Sequence, residues 1–172
     1  PVPKAIARDI GRLRHLIAED IGAYQAAIEH DDSVLDVNAL FAERDSTLKE
    51  HPIDDEAMGI LAETITNHLE LTGVLATDRK ITIEEREDAI VINSCHGSRI
   101  NEAIGHFLMA MASTKTGKWG RLVNEPTRIS LQTGDIYAQH IIGWLTETPP
   151  DALQGLLSVT LPNSRQVRWR FA

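Results

Sequence analysis

Lys115, Lys118, Trp119 and Arg121 place three cations around one indole in a short stretch of chain. Such a group can hold an unpaired polynucleotide. The cations meet phosphates in a salt-dependent way, and the indole face stacks on bases with little regard for base identity. Earlier, Gly97-Ser98-Arg99 stands where an apolar run gives way to a helical pattern. A helix start there would aim backbone N–H groups and a positive dipole end at a phosphate, with Arg99 adding charge. Towards the end, Arg165, Arg168, Trp169 and Arg170 form the densest positive cluster of the sequence. In a helix, Arg165 and Arg168 share a face, which suits a strand-contacting edge. Each group also has a plainer reading. Trp119 can open a strand and pack inward while its cations are merely solvated. Gly97 can be a tight turn and Ser98 a helix cap. The arginines after Ser164 can mark a junction with a further domain.

No constellation for bond-making chemistry stands beside these groups. A phosphate-cradling G-x-x-x-x-G-K-[ST] loop and an Asp-Glu-x-His box are both absent, and Gly117-Lys118 lacks the upstream glycine such a loop needs. The seven histidines are scattered, and adjacency of Cys95 and His96 does not supply a shared tetrahedral site. Asp31, Asp32 and Asp36 lack the calcium-loop spacing and its glycine. There is no G-x-S-x-G elbow, and a cysteine at a strand end such as Cys95 is usually an inert small hydrophobe. His140 reads as a satisfied, partly buried side chain. No catalytic residue, metal ligand or cofactor site is expected in this chain.

Composition is that of an ordinary soluble globular protein. With 172 residues, 42% of them hydrophobic and 24% charged, the chain can bury a real core. Its net charge of −8 is unevenly placed: residues 1–78 carry 6 Lys/Arg against 16 Asp/Glu, and residues 79–172 carry 11 against 9. Any polyanion contact therefore belongs in the second half, because local field matters more than the sum. No apolar run approaches a membrane span and no signal region opens the chain. A single cysteine excludes an internal disulfide framework, so a reducing, cytoplasmic setting is expected.

These residues need elements to position them. Ile6, Ile10, Leu13, Leu16, Ile17, Ile21 and Tyr24 recur at helical spacing and predict one long helix. A less regular segment runs from Val34 to Leu48. Asp54-Asp55-Glu56 then supplies an acidic first turn to a helix whose apolar stripe is Met58, Leu61, Ile65, Leu69 and Val74, closed by Gly73. From Ile81 the period changes. Ile81 and Ile83 alternate with polar neighbours, Ala89 to Asn93 is an apolar run, and the polar tip between them predicts a β-hairpin. A helix from Ser98 presents Ile100, Ala103, Ile104, Phe107, Leu108 and Met111. Two more strands are expected at Arg121–Val123 and Arg128–Leu131. Asp135 is expected to cap a helix bearing Ile136, His140, Ile141 and Trp144, stopped by Pro149-Pro150. The result is an α+β protein: a helical segment over residues 1–78, then a small antiparallel β-β-α-β-β sheet covered by helices over 79–172. The last segment, SRQVRWRF, fits strand alternation and an i, i+4 helix equally well.

The runs TGVLATDRKITIEE, IVINSCHGSRINEAIG and SRQVRWRFA, with the opening PVPKAIARDIGRLR, resemble the archaeal branch of the large helicase-related (Lhr-type) superfamily 2 helicases. The likeness is to the family-specific region that follows two motor domains and a winged helix, and it spans Pro1 to Ala172. Where the family commonly has a proline, this chain has Ala76; where it has an aromatic or small residue, this chain has His96. Both are loop positions. The resemblance tips the last segment towards helix, and in the family that segment runs on into a further basic helical stretch. The chain is thus expected to be an excised piece of a larger protein, although a Pro1 start also suits removal of an initiator methionine. The resemblance implies an accessory part of an ATP-driven enzyme that tracks single-stranded DNA and opens DNA or DNA–RNA duplexes in DNA repair. ATP and magnesium would belong to the motor domains of that parent. The expected partners are single-stranded DNA or a DNA–RNA hybrid together with the motor and winged-helix domains. On this reading Gly97, Ser98, Arg99, Lys115, Lys118, Trp119, Arg121, Arg165, Arg168 and Trp169 are the candidate nucleic-acid contacts. The competing expectation is a docking module, in which acidic Asp31, Asp32, Asp54, Asp55 and Glu56 face the motor or a repair partner.

Overall fold

The computed structural model of the protein describes residues 2–28 and 53–160. The Val34–Leu48 segment and the cluster of Arg165, Arg168, Trp169 and Arg170 lie outside the described residues. The chain divides into two units, Asp9–Lys80 on one hand and Pro1–Arg8 with Ile81–Ala172 on the other.

In the Asp9–Lys80 unit the helical period produces helices as expected. Helix α1 spans Lys4–Ile28 and helix α2 spans Asp55–Thr72. Asp54 caps α2, its carboxylate accepting the Ala57 N–H at 2.8 Å. Gly73 ends it with φ +69°, its N–H donating to the Leu69 carbonyl at 2.8 Å. Ile17 and Ile21 of α1 pack with Met58, Ala62 and Ile65 of α2 in one buried cluster. The predicted stripes overran it at both ends: Ile6, Ile10 and Val74 are 52%, 38% and 44% exposed.

The other unit is a four-stranded antiparallel sheet with helices on one face. Strands β1 (Thr82–Glu85), β2 (Ile90–Asn93), β3 (Arg121–Glu125) and β4 (Arg128–Gln132) lie in the order β1-β2-β4-β3. Helices α3 (Ser98–Thr116), α4 (Ala138–Glu147) and α5 (Pro150–Thr160) supply the cover. The fold is α+β, as the change of period indicated. Register puts Ile83, Ile92 and Ile129 in one row across the sheet, and Ile90, Leu131 and Leu122 in the next. These residues face Phe107, Leu108 and Ala112 of α3 and Ile141 of α4. Each fully buried side chain of this kind contributes about 1.5–3 kcal/mol.

Three local expectations need correction. Asp135 does not cap α4; it sits in the turn before it at φ +60°, a conformation a short acidic side chain tolerates. Tyr137 takes the cap position, its N–H donating to His140 Nδ1 at 3.0 Å. Pro149-Pro150 does not only stop α4. Pro150 begins α5, where its missing N–H leaves no intrahelical bond unmade, and Asp151 adds charge that suits the first turn. Finally, α3 buries more than its predicted face: Phe107 and Leu108 are in the core with Ile104 and Met111 against it, but further positions are buried as well. Its buried residues are Asn101, Gly105, Phe107, Leu108, Met109 and Ala112, whereas Ile100 and Ala103 are only half-buried.

The polar member of that buried set holds two loops together. Asn101, fully buried, accepts from Ser94 Oγ at 3.1 Å. Its Nδ2 donates to the carbonyls of Ser94, Glu125 and Pro126 at 3.1, 3.0 and 3.1 Å. The turn between β3 and β4 is thereby stitched to the loop between β2 and α3. Gly105, one helical turn on, lets α3 lie close on β3: a Cβ there would come within 2.7 Å of Asn124 Oδ1 and 2.8 Å of Leu122 Cδ1.

Candidate nucleic-acid interface

Lys115 in the last turn of α3, Lys118 and Trp119 on the connection to β3, and Arg121 at the start of β3 are all exposed. Trp119 is 73% exposed, in contrast to Trp144, which packs against the core. The connection is held at both ends. Gly117 closes α3 at φ +69° with its N–H on the Ser113 carbonyl, and Thr116 Oγ1 accepts the Lys118 N–H at 3.3 Å. Gly120 lies flush on the end of β4, where a Cβ would strike the Gln132 carbonyl oxygen and come within 2.6 Å of Thr133 Cγ2. A large aromatic side chain is thus presented to solvent by a braced turn.

Among the described residues, the cations around it, Lys115, Lys118 and Arg121, make no ion pair. The open face of the sheet is different. There Arg128 binds Glu125 through Nε at 2.8 Å and a terminal nitrogen at 2.7 Å, and Arg86 meets Glu84 at 3.0 Å. The hydrogen bond Arg128 donates to Glu125, then the charge of Glu125, holds the Arg128 pKa above its ordinary value. Asn93 Nδ2 adds bonds to Thr82 Oγ1 and Glu84 Oε1. That face is a network of neutralised pairs, so a polyanion gains less there than at the Trp119 turn.

Gly97, Ser98 and Arg99 stand at the other end of α3. Gly97, at φ +86°, gives its N–H to the Pro126 carbonyl at 3.1 Å. Ser98 gives its N–H to the Val2 carbonyl at 3.2 Å, and its hydroxyl oxygen accepts the Val2 N–H at 3.0 Å. The Gly97 and Ser98 amides therefore face carbonyls of the chain itself. Arg99 is exposed and lines a cleft of about 490 Å³ with Val2, Pro3, Lys4, His96 and Ile100. Sixteen helical positions separate Arg99 from Lys115, about 24 Å along the axis and about 160° around it. The two groups do not converge on one site.

Several residues escaped the sequence reading. Lys4 and His96 join Arg99 only through folding. Glu85, read as part of a polar hairpin tip, accepts the Ala138 N–H and so caps α4 from another element. Asn101 lies off the apolar stripe the sequence offered for α3, so its burial, and the bonded partners that burial requires, emerged only with the fold. Among the described residues no group of three or more His, Cys, Asp or Glu side chains could hold a metal ion. Nor, among them, is any helix long and apolar enough to cross a membrane.

Comparison with curated proteins and with solved structures finds no match. The family model described as DEAD/H associated matches residues 75–172, more than half of the chain and nearly all of the sheet-bearing unit. The chain belongs to the DEAD/H associated family, whose domains are accessory to DEAD/H-type helicase motors.

Proposed function

We propose that the chain is the accessory, non-motor region of an Lhr-type superfamily 2 helicase of the archaeal branch, and that it contacts single-stranded DNA, or a strand of a DNA–RNA hybrid, during duplex separation in DNA repair. Trp119 carries this reading: an indole exposed to 73% on a braced turn, beside three cations with no ion pair among the described residues. Exposed tryptophan forgoes a large burial gain, so its display at a positive patch favours a stacking role. Arg99, beside the Gly97-Ser98 turn whose own amides are engaged within the chain, gives a second contact, and Arg165, Arg168 and Trp169 a third. ATP and magnesium act in the motor domains of the parent, and this chain contributes grip rather than hydrolysis. The test is a salt titration of the chain with a labelled single-stranded oligonucleotide. Three phosphate contacts at the Trp119 turn alone give a log–log slope near −2, at about −0.7 each. Absence of binding at 50 mM salt overturns the reading.

A docking role is favoured by a separate observation. Ile60 and Leu71 of α2 are 59% and 86% exposed, and eleven residues apart they share one helix face alongside Glu63 and Glu70. An acidic, apolar-centred face suits contact with the motor domains. Binding of the separated motor portion by a chain that ignores oligonucleotides would establish it instead.

A further inference from the structure

The cleft between the N-terminal segment and the first turn of α3 is lined by Val2, Pro3, Lys4, His96, Arg99 and Ile100. The amides of Gly97 and Ser98 are taken by Pro126 and Val2. Two bonds between Val2 and Ser98 clamp the N-terminal segment in place. Gly97 makes this approach possible, because a Cβ there would lie 2.9 Å from Lys4 Cα and 3.2 Å from the Pro3 carbonyl carbon. Lys4 is therefore brought against a loop ninety-odd residues later in sequence. Lys4, Arg99 and the half-buried His96 then line one space of about 490 Å³. Among the described residues none of the three makes an ion pair. The remaining wall, Val2, Pro3 and Ile100, is apolar.

We infer that this cleft is a discrete nucleotide-binding subsite, in which Lys4, Arg99 and His96 hold a phosphodiester and the Val2, Pro3 and Ile100 wall covers the attached sugar or base. It rests on the single-strand reading of the chain and assigns the contact at this end of α3 to Lys4 and His96 as well as Arg99. Two mobile cations and a donor ring offer more charge than one carboxylate needs, and the apolar wall matches the uncharged part of a nucleotide. An acidic protein segment is the competing occupant. The distance from the Trp119 turn makes the two contacts separable in a binding experiment.

The experiment compares the chain with its Lys4→Gln/Arg99→Gln and Trp119→Ala variants, using a labelled dT oligonucleotide over a range of salt. Both charges are exposed, so the double variant should fold. It should bind about 25-fold more weakly at 0.1 M salt, with a slope shallower by about 1.4. Trp119→Ala should weaken binding with its slope unchanged. In parallel, thymidine 5′-monophosphate and a poly-glutamate peptide are titrated into isotope-labelled protein. Shifts of the His96–Ile100 amides with the nucleotide and not with the peptide support the subsite. Intact oligonucleotide binding and slope in the double variant overturn the subsite while leaving the Trp119 contact standing. Shifts with poly-glutamate alone make the cleft a protein-docking site. Loss of oligonucleotide binding by the parent chain, with nucleotide shifts at the cleft retained, overturns the wider reading and not the subsite.

Discussion

Asn101 Nδ2 lies 3.0 Å from the carbonyl oxygen of Glu125, joining a buried helix position to the end of a strand 24 residues away. Three carbonyls around that amide fix its orientation, since a flip would set oxygen against oxygen. The same side chain ties the loop that carries Gly97 to the turn between β3 and β4. Asn101→Leu should cost about 2–4 kcal/mol, because Ser94 Oγ and the carbonyls lose their partner in a dry environment. Asn101→Asp should be at least as costly, having no amide hydrogens to offer. Urea denaturation monitored by circular dichroism measures both, and a cost below about 0.5 kcal/mol for either would remove Asn101 from this role.

Two glycines with positive φ should respond differently to alanine. No atom lies within 4 Å of the point a Gly117 methyl would occupy, so Gly117→Ala carries only the left-handed backbone penalty of about 1 kcal/mol. Gly97→Ala adds a clash with the backbone of Lys4 and should lose about 2–3 kcal/mol. It should also release the N-terminal segment, seen as faster hydrogen exchange at Ser98. Equal losses would contradict the close approach of Lys4.

Removing the exposed indole should separate binding from folding. Trp119→Ala is expected to change unfolding free energy by less than about 0.5 kcal/mol, as for other exposed sites. Oligonucleotide binding should fall by about 1–3 kcal/mol. Trp119→Phe should retain part of that. A large stability loss with unchanged binding would mean that the indole serves the fold.

Glu85 should act on α4 rather than on its own hairpin. Its carboxylate accepts the Ala138 N–H across 53 residues. Glu85→Gln keeps the shape and removes the charge, and should cost about 0.3–1 kcal/mol. Glu85→Ala should cost somewhat more and speed exchange in the first turn of α4. Exchange changes confined to β1 and β2 would exclude the cap.

The sequence by itself determined the elements, because their signals are carried by near neighbours. The 3.6-residue period of α1 and α2, the Asp54 and Gly73 caps, and the alternation of the strands all act within a few residues. The same local signals placed Lys115, Lys118, Trp119 and Arg121 around the end of α3 and the start of β3. Tertiary structure decided what required distant partners. Alternation could not tell whether Trp119 faced a core or water, since that depends on which face of the sheet the helices cover. Glu85 and Lys4 looked like ordinary surface charges until folding set them against Ala138 and Gly97. Local physics chose the pieces; packing between residues far apart in the chain chose which side chains remained free to bind.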